Sequence, residues 1–162
     1  MGNPTIAAIE DALIAAIRQA DALAYVPDPQ VQTLSLRGVD FDQEAIIVIP
    51  PAVLVAYVGG GYEPHDNTLH KHVVRHRFLL IAVAENLRGN RQAKEGDELG
   101  TPGAYGILDD LADLFAGRRI EFAGARRTYC RLAGTSFEGI NPNGHFAYGL
   151  EIEVHGVWDN IQ

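Results

Sequence analysis

The feature that most constrains the fold is a run of alternating residues near the C-terminus, at 145–157. The large apolar set is Phe146, Tyr148, Leu150, Ile152 and Val154, and the intervening set is Ala147, Gly149, Glu151, Glu153 and His155. Because side chains of a β-strand point alternately to opposite faces, this run predicts a strand with one buried and one wet face. Asn143 followed by Gly144 predicts a hairpin turn just before it.

Further strands are indicated by runs of β-branched and aromatic residues. They are predicted near 31–36, 52–58, 72–86, 118–123 and 131–138. Pro50 and Pro51 confine the second of these strands to the residues that follow them. The glycines at 59–61 are expected to end that strand in a flexible turn.

Two segments carry the signals of amphipathic helices, at 4–22 and 102–116. Asn3 before Pro4 and Thr101 before Pro102 each pair a capping residue with a first-turn proline. The apolar stripes are Ile6, Ile9, Leu13 and Ile17 in the first helix and Leu108, Leu111, Ala112 and Phe115 in the second. The sequence therefore predicts an α+β fold, a single domain over 1–162 with two helices on one side of a mainly antiparallel sheet of about five strands.

Composition argues against several classes of function. A net charge of -8 disfavours general or sequence-specific nucleic-acid binding. A single cysteine, Cys130, leaves neither an internal disulfide nor a multi-cysteine zinc site and predicts a core thiol. No apolar run approaches the roughly 18 to 20 residues that a bilayer span needs, and the N-terminus has no basic leader, so the protein is expected in the cytoplasm.

Charge is distributed unevenly along the chain. Residues 1–66 hold nine acids and two bases, 67–131 hold eleven bases and eight acids, and 132–162 hold four acids and no base. One interpretation is chance variation along an ordinary solvated surface. The other is that unlike charged surfaces on identical subunits favour head-to-tail contacts that can repeat into a ring.

The most suggestive chemical cluster is rich in histidine, over 65–76. His70, His72 and His76 would share one face of a strand, and imidazoles spaced in this way can meet one metal ion. Basic neighbours crowd the segment and no cysteine completes a site. The prediction is therefore a wet, partly basic surface strand and no bound metal.

Other patterns give no catalytic site. Glu151, Glu153 and His155 could serve acid/base chemistry, but alternating charges are typical of any half-exposed strand. The glycines at 59–61 lack the context of a nucleotide-binding loop. The basic group is Arg118, Arg119, Arg126, Arg127 and Arg131. It lacks interleaved aromatics beyond Phe122 and Tyr129, so it predicts a patch that faces protein. We expect that the protein is not an enzyme and that it has no catalytic residue and no cofactor.

Five blocks of the sequence, in order, resemble one known family. They are IEDALIAAI, PAVLVAYVGG, VAEN followed by LRG, GTPGAYGILDDLADLFAG and YGLEIEV. Their order and spacing resemble the tail terminator, or tail completion, proteins of Mu-like phages and prophages. The resemblance implies a virion structural subunit that assembles into a closed hexameric ring on the end of the tail tube.

The resemblance also implies partners and places. They are other copies of the chain, tail tube and sheath proteins and the head-tail connector, in the bacterial cytoplasm during assembly and then in the virion tail. A long mixed-charge loop, 87–101, is the segment expected to reach a neighbour. Its interface candidates are Leu87, Arg88, Arg91, Lys94, Glu95, Asp97 and Glu98.

Two alternatives remain open at this stage. One is another head-tail joining or tail-tube protein, since these share small α+β folds and ring assembly. The other is a small metal-dependent hydrolase that uses the His65 to His76 region. Metal analysis would separate the hydrolase, because a catalytic zinc site retains near-stoichiometric metal.

Overall fold

A computed structural model describes residues 3–34, 49–65, 70–85, 102–120, 126–140 and 144–159. The helices are α1, Ile6–Gln19, and α2, Ala104–Phe115. The strands are β1, Val31–Thr33; β2, Ala52–Pro64; β3, Lys71–Ala84; β4, Arg126–Ile140; and β5, Phe146–Asp159. Short 3-10 turns at Asp21–Leu23 and Asp28–Gln30 lead from α1 to β1. Neither described helix is long and apolar enough to cross a membrane.

The described strands form a five-stranded sheet in the order β1-β2-β3-β5-β4. β1 runs parallel to β2, and the other neighbouring pairs are antiparallel. The ladder between β3 and β5 extends without a register shift from Lys71 opposite Asp159 to Ala84 opposite Phe146. The predicted α+β class with a mainly antiparallel sheet is confirmed.

Both helices pack on one face of the sheet, as predicted. The stripe of α1 is buried at Ile9, Leu13 and Ile17, and the stripe of α2 is buried at Leu111 and Phe115. The strand residues beneath them include Val53, Val55, Val74, Phe78, Leu80, Leu150, Ile152 and Val154. Apolar side chains that recur every second residue in the strands and every three or four in the helices thus meet in one core.

The opposite face of the sheet has an apolar part and a charged part. Ala52, Leu54, Ile81, Val83 and Ala147 form a second buried cluster at one end. Further along β3 and β5, the same face carries arginine, glutamate and histidine side chains. The alternation of β5 therefore places its two residue sets on opposite faces as predicted, but the face expected to be wet is buried at Ala147, Gly149 and His155.

The helix boundaries differ from the prediction. The N-cap of α1 is Thr5, whose hydroxyl accepts a hydrogen bond from the Ala8 N–H at 3.1 Å. Asn3 and Pro4 lie outside the helix, since a cap needs a side-chain oxygen within reach of the first free N–H groups. Gly103, without a side-chain bond, caps α2.

The expected turn at the three glycines is wrong, because β2 continues through them to Pro64. Gly59 pairs with Arg77 after a register shift, and its φ of 126° suits a glycine in a bulge. A Cβ on Gly60 would lie 2.7 Å from the His76 Nδ1 atom. These glycines therefore permit a bulge and a close approach within a strand.

The other strand boundaries also shift. β4 is longer than predicted, with register shifts at three points along its pairing with β5. Within 118–120, the described part of the predicted strand at 118–123, a bridge joins Arg119 to Tyr129. The expected hairpin connection between β4 and β5 agrees with the pairing of Ile140 with Phe146, although 141–143 lie outside the described residues.

Candidate assembly surfaces

His76 lies in an aromatic box on the helix face of the sheet. Its side chain is 2% exposed, and its ring meets the rings of Tyr57, Tyr62 and Trp158 edge-on at centroid distances of 5.6 to 5.8 Å. The Tyr57 hydroxyl lies 3.2 Å from His76 Nδ1. Burial lowers the pKa of His76, because desolvation disfavours the charged ring.

The remaining histidines of the cluster lie closer to solvent. His72 is half-buried on β3, and His70 is exposed in the preceding turn. The described residues contain no group of three or more His, Cys, Asp or Glu side chains that could hold a metal ion. The expectation of a wet surface strand is wrong at His76, where the neighbouring aromatic rings exclude water.

The charged part of the opposite face is built from paired groups. His155 Nε2 lies 2.8 Å from Glu153 Oε2, and Tyr129 stacks on the His155 ring at 5.3 Å. The hydrogen bond from His155 is the main cause of a lowered pKa at Glu153. Arg77 Nη1 lies 3.6 Å from Glu151 Oε1. Glu151, Glu153 and His155 share one face of β5, as predicted. His155 is nevertheless buried, with 7% of its surface exposed.

The two edge strands of the sheet, β1 and β4, differ in what their backbone groups bind. At the β1 edge, the Arg18 guanidinium donates to the carbonyl oxygens of Asp28 at 3.1 Å and Val31 at 2.8 Å. At the β4 edge, Cys130 N–H donates to the Arg118 carbonyl at 2.8 Å. Beyond that contact, residues 133–137 are exposed, and no described strand pairs with the outer side of β4 there.

A groove with a volume of about 360 Å³ lies between α2 and this open stretch of β4. Its lining residues are Tyr105, Leu108, Asp109, Ala112, Thr135, Ser136, Phe137, Tyr148 and Leu150. Tyr105 is 40% exposed and Phe137 is 56% exposed, and each ring lies 5.1 Å from that of Tyr148. Exposed aromatic side chains are enriched at protein-protein contact sites.

An arginine pair follows the C-terminal end of α2. Arg118 and Arg119 are exposed and follow Gly117, whose φ of 69° ends the helix. The segment is tied to β4 because Ile120 N–H also donates to the Thr128 carbonyl at 3.1 Å. Within the described ranges, no carboxylate forms an ion pair with either arginine. These side chains belong to the basic patch that the sequence predicts to face protein.

The interface candidates taken from the 87–101 loop lie outside the described residues. They are Leu87, Arg88, Arg91, Lys94, Glu95, Asp97 and Glu98. The side chains of Arg126 and Arg127 likewise fall outside the description.

The sequence did not predict the groove. Tyr105, Phe137 and Tyr148 are far apart along the chain, and Tyr148 was assigned only to the core face of its strand. The available signal was that Tyr105 lies off the apolar stripe of α2, where a large aromatic residue is not needed for the core.

Comparisons with known proteins place the chain in a phage family. A sequence model of the family described as "Bacteriophage Mu, Gp37" matches residues 5–132, from the cap of α1 into β4. No curated protein gives a significant match. Among solved structures, a chain titled "Virion of native gene transfer agent (GTA) particle" is similar in fold, with a TM-score of 0.60 and 10% identity. The match covers 92% of this chain and 94% of the other. The Mu-like resemblance is confirmed, and the chain belongs to the Bacteriophage Mu Gp37 family.

Proposed function

We propose that this protein is a structural subunit of a phage virion that closes the tail tube as a tail terminator ring. The observation that carries the proposal is the match of fold over nearly the whole length of both chains to a protein of a virion particle. Membership of a phage Mu family supports the same role. The order of the five sequence blocks supports the specific position at the tail terminus.

A ring of identical subunits needs two unlike surfaces on each copy, because a patch must meet a different patch on the neighbour. The aromatic groove with Asp109 and the arginine end at Arg118 and Arg119 are two such surfaces. We propose a hexamer whose other partners are the tail tube and sheath proteins and the head-tail connector.

The proposed role is non-catalytic. Two of the carboxylates that the sequence offers for acid/base chemistry, Glu151 and Glu153, are engaged with Arg77 and His155. Such pairing holds these side chains in place on the sheet surface, which suits a structural subunit. The proposed places are the host cytoplasm during assembly and then the virion tail.

Electron microscopy of the purified protein, alone and mixed with tail tubes of its own phage, tests the proposal. Mass measurement runs in parallel. Single rings, or a ring seated on each tube end, are the expected result. Long stacks formed by the protein alone would instead identify a tail-tube protein. Binding to connectors without binding to tube ends would identify a head-tail joining protein.

The same preparation tests the enzymatic alternative. A hydrolase that uses the His65 to His76 region would retain close to one metal ion per chain after purification. Elemental analysis that gives such a ratio, together with a monomer that ignores tail tubes, would overturn the structural role.

A further inference from the structure

We propose that the groove between α2 and β4 receives the arginine pair of the next copy, with Arg119 as the inserted side chain. This inference rests on the proposed ring and names the contact that would build it. The contact joins two unlike patches, the groove of one copy and the arginine pair of another.

The lining of the groove suits a guanidinium group. Tyr105, Phe137 and Tyr148 present ring faces and edges, and a planar cation is attracted to the face of an aromatic ring. Asp109 supplies a carboxylate on the α2 wall. Asp109 is exposed, and in the described part of the chain no lysine or arginine pairs with its carboxylate.

Charge complementarity identifies the occupant as a second copy. The groove carries Asp109, while Arg118 and Arg119 provide two exposed positive charges on a segment held to β4 by backbone hydrogen bonds. A held segment loses little conformational entropy on docking.

A charge exchange tests the contact. Asp109→Arg and Arg119→Asp should each lower the yield of rings about tenfold, because each places like charges together. The double variant should restore assembly. Asp113→Arg, one helical turn further along α2 and outside the groove lining, is the matched control and should assemble as the wild type does. Thermal melting of each monomer confirms that it is folded. Folded single variants with full ring yield would overturn the proposal.

Disulfide capture tests the same contact by a covalent readout. Ser136→Cys lies in the groove, and Arg119→Cys replaces the inserted side chain. Oxidation of the double variant with tail tubes present should give a ladder of covalent oligomers, while each single variant stays uncoupled. The native Cys130 does not interfere, because burial raises its pKa to about 12.

The outcomes separate the two proposals. A ladder without rings on tube ends supports the contact and overturns the tail terminator role. Rings on tube ends without a ladder keep the role and overturn the contact. Dimers from Ser136→Cys alone would mean that two grooves face each other, which also overturns the arginine contact. Monomers under every condition overturn both proposals.

Discussion

His76 shows that the role suggested by a sequence pattern can differ from the role that the residue has in the fold. In the sequence it belongs to a run of histidines with the spacing of a metal site. In the fold it is enclosed by Tyr57, Tyr62 and Trp158, and the Trp158 indole reaches the Pro4 carbonyl at 3.4 Å. The spacing could not reveal this, because Tyr57 and Trp158 come from the neighbouring strands β2 and β5.

The lowered pKa of His76 predicts a dependence of stability on pH. An unfolded histidine has a pKa of about 6.5, so below that pH the unfolded chain binds a proton that the folded chain resists. The contribution of this residue to stability is therefore complete above about pH 6.5 and is lost as the pH falls below it. We expect the melting temperature to fall between about pH 7.5 and 5.5, and to fall less in His76→Gln.

His72→Gln provides the control, since His72 lies on the same strand but is only half-buried. It should keep the pH dependence of the wild type. Equal slopes in His76→Gln and the wild type, measured by calorimetry, would assign the pH dependence to other groups.

At the scale of elements, α2 illustrates a helix placed correctly by its apolar stripe. Leu111 and Phe115 are fully buried beneath it, whereas Asp113 is exposed. The stripe gave the orientation, but the ends followed from capping contacts that several residues could provide equally well. Helix faces are therefore easier to predict from sequence than helix ends.

Truncation of the α2 stripe should destabilise the subunit. Leu111→Ala and Phe115→Ala each leave a cavity in the core and should lower the free energy of unfolding by about 2 to 5 kcal/mol. Asp113→Ala, on the wet side of the same helix, should change it by less than about 0.5 kcal/mol. Urea titration measures all three, and a negligible change for Phe115→Ala would contradict the packing described.

The glycines of β2 show why one strand was cut short in the prediction. Consecutive glycines usually mark a turn, and only the neighbouring strand explains them here. Gly60 must leave room for His76, Tyr57 and the Arg75 carbonyl, whereas a Cβ on Gly61 would meet nothing within 4 Å. The reason for each glycine lies across the sheet and not in its local sequence.

The two positions therefore respond differently to the same change. Gly60→Ala should lower the free energy of unfolding by about 1 to 3 kcal/mol, because the added methyl overlaps backbone and ring atoms. Gly61→Ala should be neutral or slightly stabilising, since it restricts the unfolded chain without a clash. Equal effects of the two changes in thermal melts would show that the close approach at Gly60 is relieved without cost.

At the scale of the whole molecule, the alternation of β5 and the stripes of α1 and α2 were enough to predict the class of fold and the side on which the helices pack. The aromatic groove was not predicted, because its walls come from α2, β4 and β5 and no local pattern joins them. The charge blocks of the sequence predicted that the subunit has unlike charged surfaces. They did not predict where on the subunit those surfaces lie.

The segment 87–101, which the sequence predicts to be a contact loop, can be tested at the same scale. If it contacts a neighbour or the tube, Arg88, Arg91 and Lys94 should be protected from chemical labelling in the assembled ring and reactive in the monomer. Lys71, on β3, provides an internal reference within each sample. Mass spectrometry of labelled peptides measures the difference, and unchanged reactivity of all three residues would place the loop away from the contacts.

The Arg18 contacts at β1 bear on how copies can combine. This guanidinium binds the Asp28 carbonyl in the preceding turn and the Val31 carbonyl on β1, and so occupies one acceptor that an added strand would need. The β1 edge is therefore a less favourable place for a further strand to join the sheet than the exposed stretch of β4 at 133–137.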